Sequence, residues 1–170
     1  MKVRDIMSSP VVTVREDTPM LEVARLMVER RIGGVPVVRR DGRLVGIVTE
    51  SVFAAAEGPV PFSLLRLPQV FGHWLSRDNL ERVYDEARAT KAADVMTRSV
   101  ATATEDEPVE AAARKMCEAK VHRLPVLRDG VPVGMVARHD LLRVMLRLSS
   151  DPSAEGPREP SHVGAWHPAL

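Results

Sequence analysis

Asp5 and Met7 recur 89 residues later as Asp94 and Met96, and the echo runs on through each half of the chain. Thr13, Glu16, Asp17 and Pro19 return as Thr102, Glu105, Asp106 and Pro108. Ala24, Arg25, Met27 and Glu29 return as Ala113, Arg114, Met116 and Glu118, and Pro36-Val37 returns as Pro125-Val126. One residue then drops out, and Asp41-Gly42, Val45-Gly46 and Val48 reappear as Asp129-Gly130, Val133-Gly134 and Val136. A repeated unit this small rarely buries its apolar face alone. The repetition therefore predicts two units packed on each other, with the clefts of interest at their junction.

The rest of the composition narrows the classes. At 170 residues and 45% hydrophobic content, the chain supports one well-buried core or two small packed ones. A net charge of +1 provides no strong field toward nucleic acid or an anionic membrane. No apolar run approaches the roughly 18 residues that span a bilayer, and no apolar signal segment follows Met1. The lone Cys117 excludes an internal disulfide framework and a Cys-based zinc cluster. The expectation is a soluble, cytoplasmic protein with no metal site.

Local pattern supplies the elements. Val11 to Val14 reads as a β-branched strand. Thr18 offers an N-cap with Pro19 at the first helical position, before a helix that buries Met20, Val23, Ala24, Met27 and Val28. Val35 to Val38, Asp41-Gly42 and Leu44 to Val48 form a hairpin, and a second helix starts near Thr49 and runs through Phe53 and the alanines. The second half repeats this with a strand at Val100 to Ala103 and a helix from Pro108 burying Val109, Ala112, Ala113, Met116 and Cys117. Strands at Leu124 to Leu127 and Val133 to Ala137 follow, then a helix from about Arg138 to Leu148 with Leu141, Leu142, Met145 and Leu148 on its apolar side.

The fold class expected is α/β (α+β): two β-α-β-β-α units, each preceded by a short helical turn, with a helical insert between them. The limits expected are 1–56 and 93–149 for the units, 57–92 for the insert and 150–170 for a disordered tail rich in Pro, Ser, Gly and Glu. Asp78 and Glu81 resemble a capping box for an insert helix carrying Leu80, Val83, Tyr84 and Ala87 inward.

The Asp-Ile/Val-Met opening, Glu-Asp-x-Pro helix start, Val/Leu-Pro-Val strand and Asp-Gly followed by Val-Gly-x-Val occur in this order twice. In this the chain resembles a stand-alone pair of CBS (cystathionine β-synthase) domains. The resemblance implies two units related by a pseudo-twofold axis and two clefts that take adenosine-containing ligands such as AMP, ADP, ATP or S-adenosylmethionine. The family's ribose and phosphate motif, Gly-x-x-Thr/Ser-x-x-Asp, is incomplete in both copies. Gly46 to Val52 keeps Thr49 but has Val52 in place of the carboxylate, whereas Gly134 to Asp140 keeps Asp140 but has Ala137 in place of the hydroxyl.

A hydrogen bond to a charged group is worth roughly 1.5–3 kcal/mol and a neutral one about 0.5–1.5. Losing the carboxylate should weaken the first cleft roughly ten- to hundredfold; losing the hydroxyl should cost the second about tenfold or less. The main cleft implied is lined by Ala101, Val121, His122, Arg123, Pro125, Arg138, His139 and Asp140, the three basic residues Arg123, Arg138 and His139 holding phosphate by charge. The weaker cleft is lined by Val12, Ile32, Gly33, Gly34, Pro36, Thr49 and Ser51.

Plainer readings stand beside these. Asp140 also suits the start of a helix, where the dipole favours a carboxylate. Arg143 and Arg147 read as a solvated face, His122 as a cleft-lining or structural residue, and His162 and His167 as tail. Cys117 reads as an inert buried thiol, and Met7, Met27, Met96 and Met116 as core filling. Three functions follow: a non-catalytic regulatory module that binds an adenosyl ligand and signals to a separate effector protein, a homodimerisation module with empty clefts, and an enzyme. The last lacks a nucleophile–base pair, a metal cluster or a further phosphate loop. A homodimer is expected through Phe53 with the alanines 54 to 56 and through Leu142, Met145 and Leu146.

Overall fold

A computed structural model describes residues 1–53, 69–70, 73–74 and 80–149. Two three-stranded sheets of identical topology dominate it. In the first, β1 (Val14–Arg15) runs parallel to β2 (Gly34–Val38), which pairs antiparallel with β3 (Leu44–Thr49). Between β1 and β2 lies α1 (Met20–Arg30). An insert follows, containing a two-residue antiparallel pair, β4 (Gln69–Val70) with β5 (His73–Trp74), and helix α2 (Leu80–Ala89). The insert is therefore not purely helical.

The short helix α3 (Ala92–Val95) opens the second half. There β6 (Ala103–Thr104), α4 (Val109–Glu118), β7 (Arg123–Arg128) and β8 (Val131–Ala137) repeat the first sheet, and α5 (Arg138–Ser149) closes the described fold. No helix among the described residues is long and apolar enough to cross a membrane. The alanines 54 to 56, the Asp78 cap and residues 150–170 lie outside the described residues.

The two halves exchange their opening turns. Val3, fully buried, joins Ala103, Ala112, Met116, Leu124, Val126 and Val136 in the second core, with Ile6 and Met7 packed beside it. Ala92 and Met96 join Val14, Met20, Val23, Met27, Val35, Val37 and Val48 in the first. The backbone records the same exchange in matched pairs. The Val3 and Arg4 amides donate to the Glu107 and Glu105 carbonyls, and the Ala92 and Ala93 amides donate to those of Thr18 and Glu16, all at 2.9–3.0 Å. Ser8 brackets Met135 on β8 as Thr97 brackets Ile47 on β3.

This exchange explains the Gly of each Val-Gly-x-Val strand. A Cβ on Gly46 would lie 2.5 Å from the Sδ of Met96, and one on Gly134 would lie 2.5 Å from that of Met7. Each methionine of one opening turn thus crosses a strand of the other half at a position that only glycine leaves free.

Several expectations need correction. Thr18 does not cap α1. Pro19 has an extended ψ of 142° and is itself the cap, while the Thr18 hydroxyl accepts a hydrogen bond from the Arg15 amide. The first amide of α1, that of Met20, is satisfied by the Thr90 carbonyl, and that of Val109 in α4 by the Met1 carbonyl. The crossing segments replace side-chain caps. The first strand of each half shrinks to two residues, since only Val14–Arg15 and Ala103–Thr104 find parallel partners.

Cys117 is exposed. The inward stripe of α4 is Val109, Ala112 and Met116, and Cys117 lies about 100° round the helix from Met116. Its counterpart Val28 is likewise exposed, at 77%. On α5, Leu141 packs on the second core, whereas Leu142, Met145 and Leu146 are exposed.

The hairpin turns also differ. Asp129 and Gly130 both take positive φ (53° and 83°) and close β7 to β8 in two residues. The extra Arg40 lengthens the first loop, in which only Gly42 has positive φ. A helix near Thr49 begins as a 3-10 turn over Glu50–Val52, with Phe53 half-buried against the first core.

Ion pairs fasten the opening turn of the chain to the second half. Lys2 Nζ lies 2.7 Å and Arg4 3.1 Å from the Asp106 carboxylate, and Arg128 grips both oxygens of Glu105 at 2.7 and 2.8 Å. The hydrogen bond from Arg128 lowers the Glu105 pKa below its ordinary value, and that from Lys2, aided by Arg4, lowers that of Asp106.

Candidate functional site

The strand that ends each hairpin delivers its last residue to the start of a helix, and the two places differ chemically. At the second, Asp140 is half-buried and its Oδ2 accepts a 2.8 Å hydrogen bond from the Ala137 amide. Asp5 and Asp94 do the same for the amides of Lys2 and Lys91, so the carboxylate of Asp140 has a structural task. Its other oxygen accepts no hydrogen bond among the described residues. Arg138 and His139 are exposed, and their side chains form no ion pair there either. The Arg138 amide donates to the His122 carbonyl at 3.0 Å, which ties the helix start to the β7 approach.

At the first, the Glu50 amide donates to the Gly33 carbonyl at 3.1 Å, the counterpart of the Arg138–His122 bond. The hydroxyls of Thr49 and Ser51 lie 2.7 Å apart and bond to each other. Val52 stands where the second half has Asp140 and supplies no acceptor.

The remaining expected residues are distributed unevenly. Ala101 and Val121 are half-buried against the second core, and Ile32 is half-buried against the first. Val12 is half-buried and His122 exposed. Pro36 and Pro125 are fully buried and present no side-chain surface to a ligand.

Arg123 does not point along its own half. Its guanidinium crosses to Glu50 of the first, with NH2 3.3 Å from Oε1. A Cβ on Gly34 would lie 3.3 Å from the Arg123 Cδ, and one on Gly33 would collide with the guanidinium. Gly33-Gly34 is therefore the bed in which the arginine lies. With Glu50 62% exposed, the pair contributes about 0–1 kcal/mol. Glu50 was not among the expected residues; the signal for it was the opposite charge, Arg138, at the equivalent position.

An open depression of about 510 Å³ lies at the other end of the first sheet, between residues 15–17 and 38–41. It contains none of the expected cleft residues and mixes three arginines with three acids. No group of three His, Cys, Asp or Glu among the described residues could hold a metal ion.

Comparison with known proteins bears on this geometry. The sequence model of the CBS domain matches residues 3–56 and 92–147. An uncharacterized protein of Methanocaldococcus jannaschii is 36% identical, over 86% of this chain and 92% of that protein. A homoserine O-acetyltransferase of Methanohalobium evestigatum is 33% identical over 84% of this chain, which spans only 24% of that enzyme. Among solved structures, the CBS domain of a CBS domain containing membrane protein from Sphaerobacter thermophilus is 42% identical, with a TM-score of 0.68 over 84% of this chain and 86% of that one. A CBS domain pair solved with 5′-methylthioadenosine and S-adenosyl-L-methionine is 28% identical, with a TM-score of 0.64 over 86% and 97%.

Proposed function

The chain belongs to the CBS domain family, and on that premise we propose that it is a non-catalytic sensor that binds an adenosine-containing ligand in its second cleft and passes the bound state to a separate partner protein. The relative solved with 5′-methylthioadenosine and S-adenosyl-L-methionine supports the ligand class. The observation that carries the reading is Asp140. One of its oxygens holds the start of α5 and the other is left for a ribose hydroxyl, on the same turn as Arg138 and His139. A carboxylate accepts hydrogen bonds from vicinal hydroxyls, and cations at the same turn suit phosphate.

A thermal-shift panel of AMP, ADP, ATP, S-adenosylmethionine and NAD tests the proposal. A ligand at a hundred times its Kd adds about 2.7 kcal/mol, or roughly 5–11 °C in Tm for a chain of this size. No shift with any of the five at millimolar concentration would remove it. A second reading, a homodimerisation module with empty clefts, has its own support in Leu142, Met145 and Leu146, which are 55%, 66% and 67% exposed on α5.

A further inference from the structure

We propose that Arg123 decides which cleft accepts a ligand, by plugging the first from across the junction. The inference rests on the cleft assignment made under Proposed function, and on three observations. The Arg123 stem and guanidinium occupy the space over Gly33-Gly34, beside Thr49: a Cβ on Gly34 would meet the Arg123 Cδ at 3.3 Å and the Thr49 Cγ2 at 3.4 Å. Glu50, at the helix start of the first cleft, anchors the guanidinium there. The pseudo-symmetric reverse does not exist: the counterpart of Arg123 is Gly34, which has no side chain to reach the second cleft, and the counterpart of Glu50 is Arg138, which would repel such an arginine.

The plug also changes what a ligand would meet. A phosphate entering the first cleft finds the guanidinium neutralised by Glu50, together with a carboxylate of its own sign. A ligand can enter only by displacing Arg123 or by outbidding Glu50 for it. The second cleft presents Arg138 and His139, whose side chains form no ion pair among the described residues. Occupancy is thus made unequal by one side chain, in addition to the loss of the ribose carboxylate at Val52.

Calorimetric titration with AMP tests the plug through stoichiometry. Arg123→Ala should bind one more AMP per chain than the unmodified protein, and Thr49→Ala with Ser51→Ala, added to that variant, should remove the extra site. Glu50→Gln, which unfastens the plug without removing it, should tighten first-cleft binding up to about fivefold and serves if Arg123→Ala fails to fold. The plug is overturned if folded Arg123→Ala binds no more AMP than the unmodified chain at millimolar nucleotide. It is equally overturned if the extra site ignores Thr49 and Ser51. An unmodified chain that binds no AMP, beside an Arg123→Ala variant that binds one, would refute the second-cleft reading and leave the plug standing.

Discussion

Replacing Gly46 by Ala should destabilise the protein, and most of that cost should disappear once the Met96 side chain beyond Cβ is gone. The new methyl would lie 2.5 Å from the Met96 Sδ, 2.8 Å from its Cγ and 3.1 Å from its Cβ. The sulfur can swing aside, but the Cβ is tied to the backbone and Met96 is only 7% exposed in a packed core. Overpacking of this kind costs about 1–3 kcal/mol. Stiffening the unfolded chain returns about 0.4–1 kcal/mol, which leaves a net loss of up to about 2.6. For a chain of 170 residues that is up to about 10 °C in Tm. Met96→Ala alone should cost about 2–5 kcal/mol, as for other buried methionines. In that background the Sδ and Cγ contacts are gone and only the 3.1 Å approach to the retained Cβ is left, so Gly46→Ala should cost clearly less than it does beside Met96. Urea unfolding of the four proteins at one protein concentration measures the cycle. Equal destabilisation by Gly46→Ala in both backgrounds would refute the exchange of opening turns as the reason for that glycine.

Asp140→Ala should abolish AMP binding and also cost about 1 kcal/mol of stability through the lost cap, whereas Asp140→Asn should keep most of the stability and lose the binding; calorimetry beside thermal melts separates the two roles. Light scattering should give a dimer at micromolar concentration, and Leu142→Glu with Met145→Glu should shift it to the 18.7 kDa monomer. Glu105 and Asp106 have folded pKa values below their ordinary ones, so the stabilisation they provide is present above about pH 4 and is lost as pH falls further through the folded values. Hydrogen exchange at the Val3 and Arg4 amides should therefore accelerate in that window before exchange at Ala92 and Ala93, where no Lys2–Asp106 or Glu105–Arg128 equivalent is present among the described residues.

The element order was legible because it rests on local pattern. The Asp129-Gly130 turn, the strands on either side of it and the stripe of Val109, Ala112 and Met116 all follow from spacing within a few residues. What spacing along one half does not carry is any bond made to the other half. The Thr18 cap was a sound local inference, yet the amide it would have served is taken by Thr90, 70 residues away. Cys117 reads as inward because an apolar residue at the edge of a stripe looks like part of it; the stripe of α4 is narrower than its run of small residues suggests. Arg123 was legible as a cationic residue near a cleft but not as a residue of the other cleft, because its direction depends on two glycines in the opposite half.

The exchange also bears on how a bound ligand in one cleft could be felt elsewhere. β8 ends at Ala137, whose amide holds Asp140, and the same strand is bracketed at Met135 by Ser8, which follows the opening turn of the chain. That turn is fastened by Lys2 and Arg4 to Asp106, ahead of α4. A shift of β8 by a few tenths of an ångström therefore loads a covalently continuous segment, residues 1–15, that leads directly into β1 of the first half. The mirror route runs from β3 through Thr97 toward β6. Packed cores transmit such displacements because they have few voids in which to absorb them. Two units joined only by a linker would have no such path, whereas two units that have traded their first turns cannot move independently.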